Sequence, residues 1–343
     1  MADTFFCLDI GENLIKLVDT KLVVNQLDVQ TMTYTEGEMN FFSSEAEKII
    51  ENQTSRIEKI INSLKITKKN VAVVIPDSVT YSQILQMPRL NEKELISAIK
   101  YQADQFIPMP IDETNIDLEV LNENEKENTL SVLMVAAPKK IIEKVQKVTE
   151  LAGLIPESVE NELSATARFF SSFYKTFSPK TQGGICIINL AYNSTSLYYF
   201  NAQTGLVLKN HTFNIGYSLF IKELQINLNI DEKKSTDVLS LFNGQETSSV
   251  AIRPVILPLL KEFTYETKRF INLITDTYHS PLVQIHLIND GFRFMYLPVY
   301  LQESLSIPSN LLNPYSITRK STVTETYKNS LPLFIPTIGG NLR

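Results

Sequence analysis

The strongest constraint on the fold is a pattern that occurs twice. Residues 5–8 form a short apolar run, Asp9-Ile10-Gly11 turns the chain, and residues 14–18 return it as a second strand. Residues 186–197 can be laid on residues 6–17, so that Ile188-Asn189-Leu190-Ala191 falls on Leu8-Asp9-Ile10-Gly11. Strand, turn and strand repeated this way read as an internal duplication, one hairpin per domain. An Asp ending a buried strand before Gly is an ordinary hairpin turn and also a chemical arrangement. Glycine lets backbone N–H groups approach an anion, and the loop amides Gly11, Glu12 and Asn13 can cradle phosphate. The Asp9 carboxylate can hold Mg²⁺ or a water on it. Lys16, on the return strand, is a long cation within reach of a phosphate. One copy alone does not separate the turn from the site; the second copy favours the site.

Length and composition fit this reading. A chain of 343 residues is long for a single core and suggests two domains. Its net charge of −6 lacks the basic footprint of a nucleic-acid binder. No apolar run approaches the roughly 18 residues needed to span a bilayer. The start, MADTFF, lacks the basic and apolar regions of a signal peptide, so the expectation is a cytoplasmic chain. Cys7 and Cys186 lie inside apolar runs and read as small hydrophobes. His211, His279 and His286 show no metal-ligand spacing.

Along the chain, Ser43 or Ser44 with Glu47 reads as a capping box for a helix, and Asn91 with Glu94 as another. Residues 71–75 read as a buried strand. Residues 111–121 and 130–137 read as a hairpin with an acidic tip at 122–128. A helix is expected from Pro138 to Leu151 with Gly153 ending it, and a further helix within 157–173. The Ser-Pro-Lys-Thr-Gln-Gly-Gly stretch marks a domain boundary. A third strand and turn, IHLIND-Gly291, follows a helical region at 255–275. Residues 306–328 are polar, and the apolar end, LPLFIPTIGGNLR, is expected to dock on the first domain.

Two phosphate hairpins in duplicate domains, with a third glycine turn, resemble the actin-like nucleotide-binding fold. Within it the chain is similar to the PilM family of type IV pilus assembly. LDIGENLIKLV, QMPRLNEKELISAIKYQADQFIPMPIDETNIDLEVL, VLMVAAPKKII, LAGLIPESVENELSA and PLFIPTIGGNLR carry the resemblance, in that order, over nearly the whole chain. It implies an α/β, actin-like (ribonuclease H-like) duplicated two-domain fold. The first domain would span 1–180, with a small α/β subdomain inserted at about 79–151. The second would span 181–312. Residues 313–343 would form a surface segment and a C-terminal helix returning to the first domain.

The resemblance also implies a function that is mostly not catalysis. Family members bind the cytoplasmic N-terminal segment of the inner-membrane protein PilN, extended in a groove beside the inserted subdomain. Tyr101, Phe106, Pro108 and Pro110 are the candidate contributors; their alternative reading is that Phe106 and Ile107 are core and the prolines only end a helix. The family binds ATP and Mg²⁺ between its domains. By resemblance the nucleotide positions are Asp9, Gly11, Glu12, Asn13 and Lys16, then Asn189, Ala191, Asn193 and Ser194, then Gly291, with the metal on Asp9. Several depart from the pattern. The second Asp-Ile-Gly is Asn189-Leu190-Ala191, the third turn is Asn289-Asp290-Gly291, and the family's Ala-Glu-x-x-Lys falls on Ser235-Thr236-Asp237-Val238-Leu239. Glu162 is a candidate water-positioning group or an ordinary helix-surface residue. The expectation is therefore a scaffold, peripheral at the inner face of the inner membrane through its partner and in contact with other pilus components, with a degenerate ATP site. An active Mg²⁺-ATPase and an actin-like component of type II secretion are the alternatives.

Overall fold

The computed structural model describes residues 5–24, 26–125, 128–177, 183–244 and 251–343. The domain boundary expected at 177–184 and the acidic tip at 122–128 lie partly outside the described residues. The chain divides into two compact units. One comprises Met1–Asp19, Thr31–Ala165 and Arg343; the other comprises Thr20–Gln30 and Thr166–Leu342.

The first unit is built on β1 (Phe5–Ile10), β2 (Leu14–Val23), β3 (Gln26–Glu36), α1 (Glu47–Ser63) and β4 (Asn70–Ile75). Then come β5 (Tyr81–Pro88), α2 (Glu92–Phe106), β6 (Thr114–Asn124), β7 (Thr129–Pro138), α3 (Lys139–Leu151), β8 (Ile155–Asn161) and the start of α4 (Glu162–Phe177), whose residues from Thr166 on group with the second unit, as does the stretch Thr20–Gln30 across β2 and β3. The main sheet runs β3-β2-β1-β4-β8. β1 pairs antiparallel with β2 and parallel with β4, and β4 pairs parallel with β8. β1 and β4 are near-continuous apolar runs because both faces of these strands are covered. Phe6, Leu8, Val71 and Val73 meet Ile57, Ile60 and Val145 of α1 and α3, and Cys7 and Val74 meet Ala165. A separate antiparallel sheet, β5-β7-β6, packs Leu85, Met134 and Ala136 against Ile99 of α2.

The second unit holds β9 (Gly184–Leu190), β10 (Thr195–Asn201), β11 (Leu206–Phe213), α5 (Tyr217–Leu228), α6 (Glu232–Leu241) and α7 (Ile252–Tyr278). It ends with β12 (Leu282–Asn289), α8 (Tyr296–Leu305), β13 (Ser309–Leu311), α9 (Thr322–Thr326) and α10 (Ile335–Asn341). Its sheet runs β11-β10-β9-β12-β13, antiparallel across the first three strands and parallel across β9, β12 and β13. That is the order and sense of the first sheet repeated.

Local structure follows local chemistry, with exceptions. The Asn91 side chain accepts from Glu94 N at 3.1 Å and the Glu94 carboxylate from Asn91 N at 3.0 Å, a complete capping box. The box expected at Ser44 and Glu47 does not form: Glu47 is the first residue of α1, Ala46 sits at the cap, and Ser44 Oγ accepts from Ala46 N. Gly153 ends α3 with φ +76°, donating to the Glu150 carbonyl. The helix expected within 157–173 is α4, and the stretch 155–161 before it is a strand. It pairs with β4 as the edge of the sheet. Pro336 stands at the start of α10, where a missing N–H costs nothing. Segment 331–342 groups with the second unit. Within that unit, Thr20 N donates to Asn341 Oδ1 at 2.6 Å and Arg168 to the Gly339 carbonyl at 2.9 Å. Among the described residues no helix is long and apolar enough to cross a membrane.

Candidate functional site

The first hairpin ends at a buried ion pair. Asp9 and Lys16 are register partners across β1 and β2, so their side chains share one face. Lys16 Nζ lies 2.9 Å from Asp9 Oδ2, and the two side chains are 3% and 0% exposed. A charge so placed needs its partner, because desolvation of either ion alone is expensive. The turn closes by Gly11 N donating to the Leu14 carbonyl at 2.8 Å. A Cβ on Gly11 would lie 2.8 Å from that carbonyl oxygen, so the turn needs glycine for space. Positive φ is not the reason, since neither Gly11 nor Ala191 adopts it. Ser78 Oγ donates to Glu12 at 2.8 Å, and Gly37 N to the Asn13 carbonyl at 2.8 Å.

The same end of the sheet carries polar groups that the sequence reading passed over. Asp77, just beyond β4, accepts from Leu163 N at 3.0 Å and so fixes the start of α4. Asn161 accepts from Ser164 N at 3.1 Å and donates to Ser82 at 2.7 Å. Glu162 is 3% exposed, so its reading as an ordinary helix-surface residue is incorrect. It opens α4, where the helix dipole favours a carboxylate.

The second hairpin repeats the backbone with other chemistry. Asn189 and Ser196 are register partners, at the places of Asp9 and Lys16. Ala191 N donates to the Ser194 carbonyl at 3.0 Å, matching Gly11 to Leu14. Asn189 is fully buried and its amide is engaged at both ends. Its Nδ2 donates to Tyr198 OH at 3.1 Å, and its Oδ1 accepts from Asn289 Nδ2 at 3.0 Å. The turn carbonyls of Ala191 and Tyr192 accept from Tyr217 N and Ser218 N, at 2.9 and 2.8 Å. These are two of the orphan donors at the start of α5. Gly216 permits the approach: a Cβ there would meet the Tyr192 oxygen at 2.3 Å. Asn193 is exposed and accepts from Ser218 Oγ at 3.0 Å.

At the third turn Asn289 takes φ +59° and ψ −131°, backbone that favours glycine. Gly291 is buried in the short 3-10 turn that follows. Asp290, also buried, pairs with Arg293 at 3.3 Å. Arg293 lies 5.9 Å from the ring of Tyr217. Burial, and then the Asp290 charge, push the Tyr217 phenol up. Burial and then Glu232 do the same to Tyr192. Both phenols therefore stay protonated at neutral pH. On α6, Leu239 is buried in the second-unit core.

The sequence matches the model of the type IV pilus assembly protein PilM across residues 7–339. The chain belongs to the PilM family. The solved structure of a PilM–PilN type IV pilus biogenesis complex is similar, with a TM-score of 0.85 and 19% identity over 99% of this chain and 98% of that one. The ethanolamine utilization protein EutJ from Carboxydothermus hydrogenoformans aligns over 98% of this chain and 88% of its own, at TM-score 0.53 and 11% identity. MreB 5 of Spiroplasma citri, bound to AMPPNP, aligns over 98% and 94%, at 0.51 and 12%. These likenesses establish the actin-like fold expected from the sequence.

The residues suggested for PilN-type docking sit on and beside α2. Tyr101 is 90% exposed. Pro108 and Pro110 are exposed, while Ile107 between them and the helix is buried. The side chain of Phe106 lies outside the described residues. The rings of the two prolines are at the surface, and the buried Ile107 is what the alternative, helix-ending reading expects.

Proposed function

We propose that this PilM-family chain is a scaffold of type IV pilus assembly that captures the cytoplasmic N-terminal segment of a PilN-like inner-membrane protein, with a nucleotide site that no longer supports turnover. It would then lie at the inner face of the membrane through that partner. The observation that carries the second half is Asn189. It occupies the place of the first hairpin's carboxylate, is neutral, and is tied to Asn289 and Tyr198.

The first hairpin fits a phosphate and Mg²⁺. Asp9 would hold the ion or its water, Gly11 gives a tight turn, and Lys16 would exchange its carboxylate partner for phosphate. Bound nucleotide would add anionic charge beside that pair. The second hairpin supplies no matching carboxylate. One lost charge-assisted contact weakens binding by about 1.5–3 kcal/mol, roughly ten- to a hundredfold. Hydrolysis, which depends on placing metal and water, suffers more. The scaffold half is supported by family membership, by likeness to a PilM–PilN complex, and by the exposed Tyr101, Pro108 and Pro110.

The test is calorimetric titration of nucleotide-stripped protein with Mg²⁺-ATP, phosphate release, and titration with a peptide of the PilN-type N-terminus. Peptide binding weakened by Tyr101→Ala, without steady phosphate release, is the expected result. Steady turnover overturns the scaffold reading in favour of an ATPase.

A further inference from the structure

A groove on the first unit stands apart from the hairpin residues. It lies between β3 and α1 and has a volume of about 620 Å³, within the range of small-molecule sites. Its origin is the amphipathic pattern of α1. Ile57, Ile60 and Ile61 turn into the core. Asn52, Arg56, Lys59 and Ser63 recur at helical spacing and line the groove together with Thr35 of β3.

A solvated helix face would show the same residue types, but not the way Arg56 is held. Its Nε lies 3.3 Å from the Glu38 carboxylate and its Nη1 donates to the Glu36 carbonyl at 3.2 Å. Glu38 is itself fixed, donating its N–H to Gln53 Oε1 at 2.7 Å and accepting from Asn52 Nδ2 at 3.2 Å. The guanidinium is therefore ordered before any ligand arrives, which removes much of the entropic cost of binding. Its charge is offset by Glu38. Lys59, one turn further along α1, is exposed and has no ion-pair partner among the described residues. It leaves the lining with one uncompensated positive charge. A fixed planar donor, a free ammonium and neighbouring hydroxyls are complementary to a phosphate attached to a hydroxylated body. Tyr34 and Ile60 complete a mixed lining in which the polar side chains outnumber the apolar ones.

We propose that this groove binds a small phosphate ester of a polyhydroxy compound, with Arg56 and Lys59 on the phosphate and Thr35, Asn52 and Ser63 beside the hydroxylated part. The test uses ribose 5-phosphate as probe, with ribose and inorganic phosphate as controls, followed by calorimetry on the full chain. Saturable binding is expected for ribose 5-phosphate, tighter than for either control. Lys59→Gln should weaken it at least about tenfold, and because Lys59 is exposed this variant should keep the wild-type unfolding midpoint. Arg56→Lys, which keeps the charge and loses the fork, should also weaken it. No saturable heat in the wild type, unchanged affinity in Lys59→Gln, or equal affinity for ribose 5-phosphate and inorganic phosphate each overturns the proposal.

Discussion

The two hairpins are one backbone carrying two chemistries. Both place a polar strand-end residue opposite a return-strand partner, Asp9 against Lys16 and Asn189 against Ser196. Both close their turn with the same hydrogen bond, Gly11 to Leu14 and Ala191 to Ser194. What differs is how buried polarity is satisfied. The first hairpin neutralises charge with charge; the second uses a chain of neutral amides and a phenol, and gives its turn carbonyls to α5. One backbone geometry thus carries either chemistry, because register and turn closure depend on main-chain bonds that tolerate side-chain change.

The ion pair is where this comparison breaks most severely. Asp9→Ala leaves Lys16 charged and buried without its partner, and should cost about 3–5 kcal/mol, read as a lowered urea midpoint with an unchanged slope. The double variant Asp9→Ala with Lys16→Met should recover most of that loss. A double variant no more stable than Asp9→Ala would mean that Lys16 finds other compensation in the fold. The equivalent change in the second hairpin, Asn189→Ala, removes no ion partner and should cost less than Asp9→Ala.

Gly216 carries the second hairpin's contact with α5, whereas in the first hairpin the Asn13 carbonyl accepts from Gly37 N. Gly216→Ala would force a Cβ against three main-chain atoms, at 2.3 to 2.4 Å. The expected cost is about 1–3 kcal/mol, measured by thermal unfolding. A cost near zero would show that the turn at 191–194 is free to move away from α5.

Converting the second hairpin toward the first is the sharper probe. Asn189→Asp puts a carboxylate where the amide now donates to Tyr198 OH and accepts from Asn289, and without ligand should destabilise the chain by about 1–3 kcal/mol. Burial disfavours the charged form, so the folded-state pKa rises above the unfolded one and the penalty grows as pH rises. If the hairpin can still serve a metal, Mg²⁺-ATP should raise the unfolding midpoint of this variant more than that of the wild type. An equal shift in both would mean that the carboxylate alone does not restore the site.

Much of this was legible in the sequence, and for physical reasons. The duplication, the Asn91–Glu94 box and the end of α3 at Gly153 are local signals, written in residues that touch each other. The departures at Asn189 and Ala191 could be seen, but not their consequence, because Tyr198, Asn289 and Gly216 meet the hairpin only after folding. Asp77 and Asn161 were missed for the same reason: each works on a main-chain N–H at the start of α4. β8 was not legible because 155–161 alternates weakly and its pairing with β4 forms only on folding. The groove between β3 and α1 could not be read at all, since a polar helix stripe looks like a solvated face until a strand stands beside it.

The smallest expected effect concerns Asn289, which joins the third turn to the second hairpin. Its backbone sits at φ +59° and ψ −131°, and its side chain donates to Asn189 at 3.0 Å. Asn289→Gly relieves the backbone and loses the bond; Asn289→Ala loses the bond and keeps the strain. The glycine variant should therefore be more stable than the alanine variant by about 1 kcal/mol, and near the wild type. Equal stability of the two would mean that the turn relaxes to ordinary φ once the amide is gone, so that the Asn189 bond, and not the rest of the fold, holds the strained conformation.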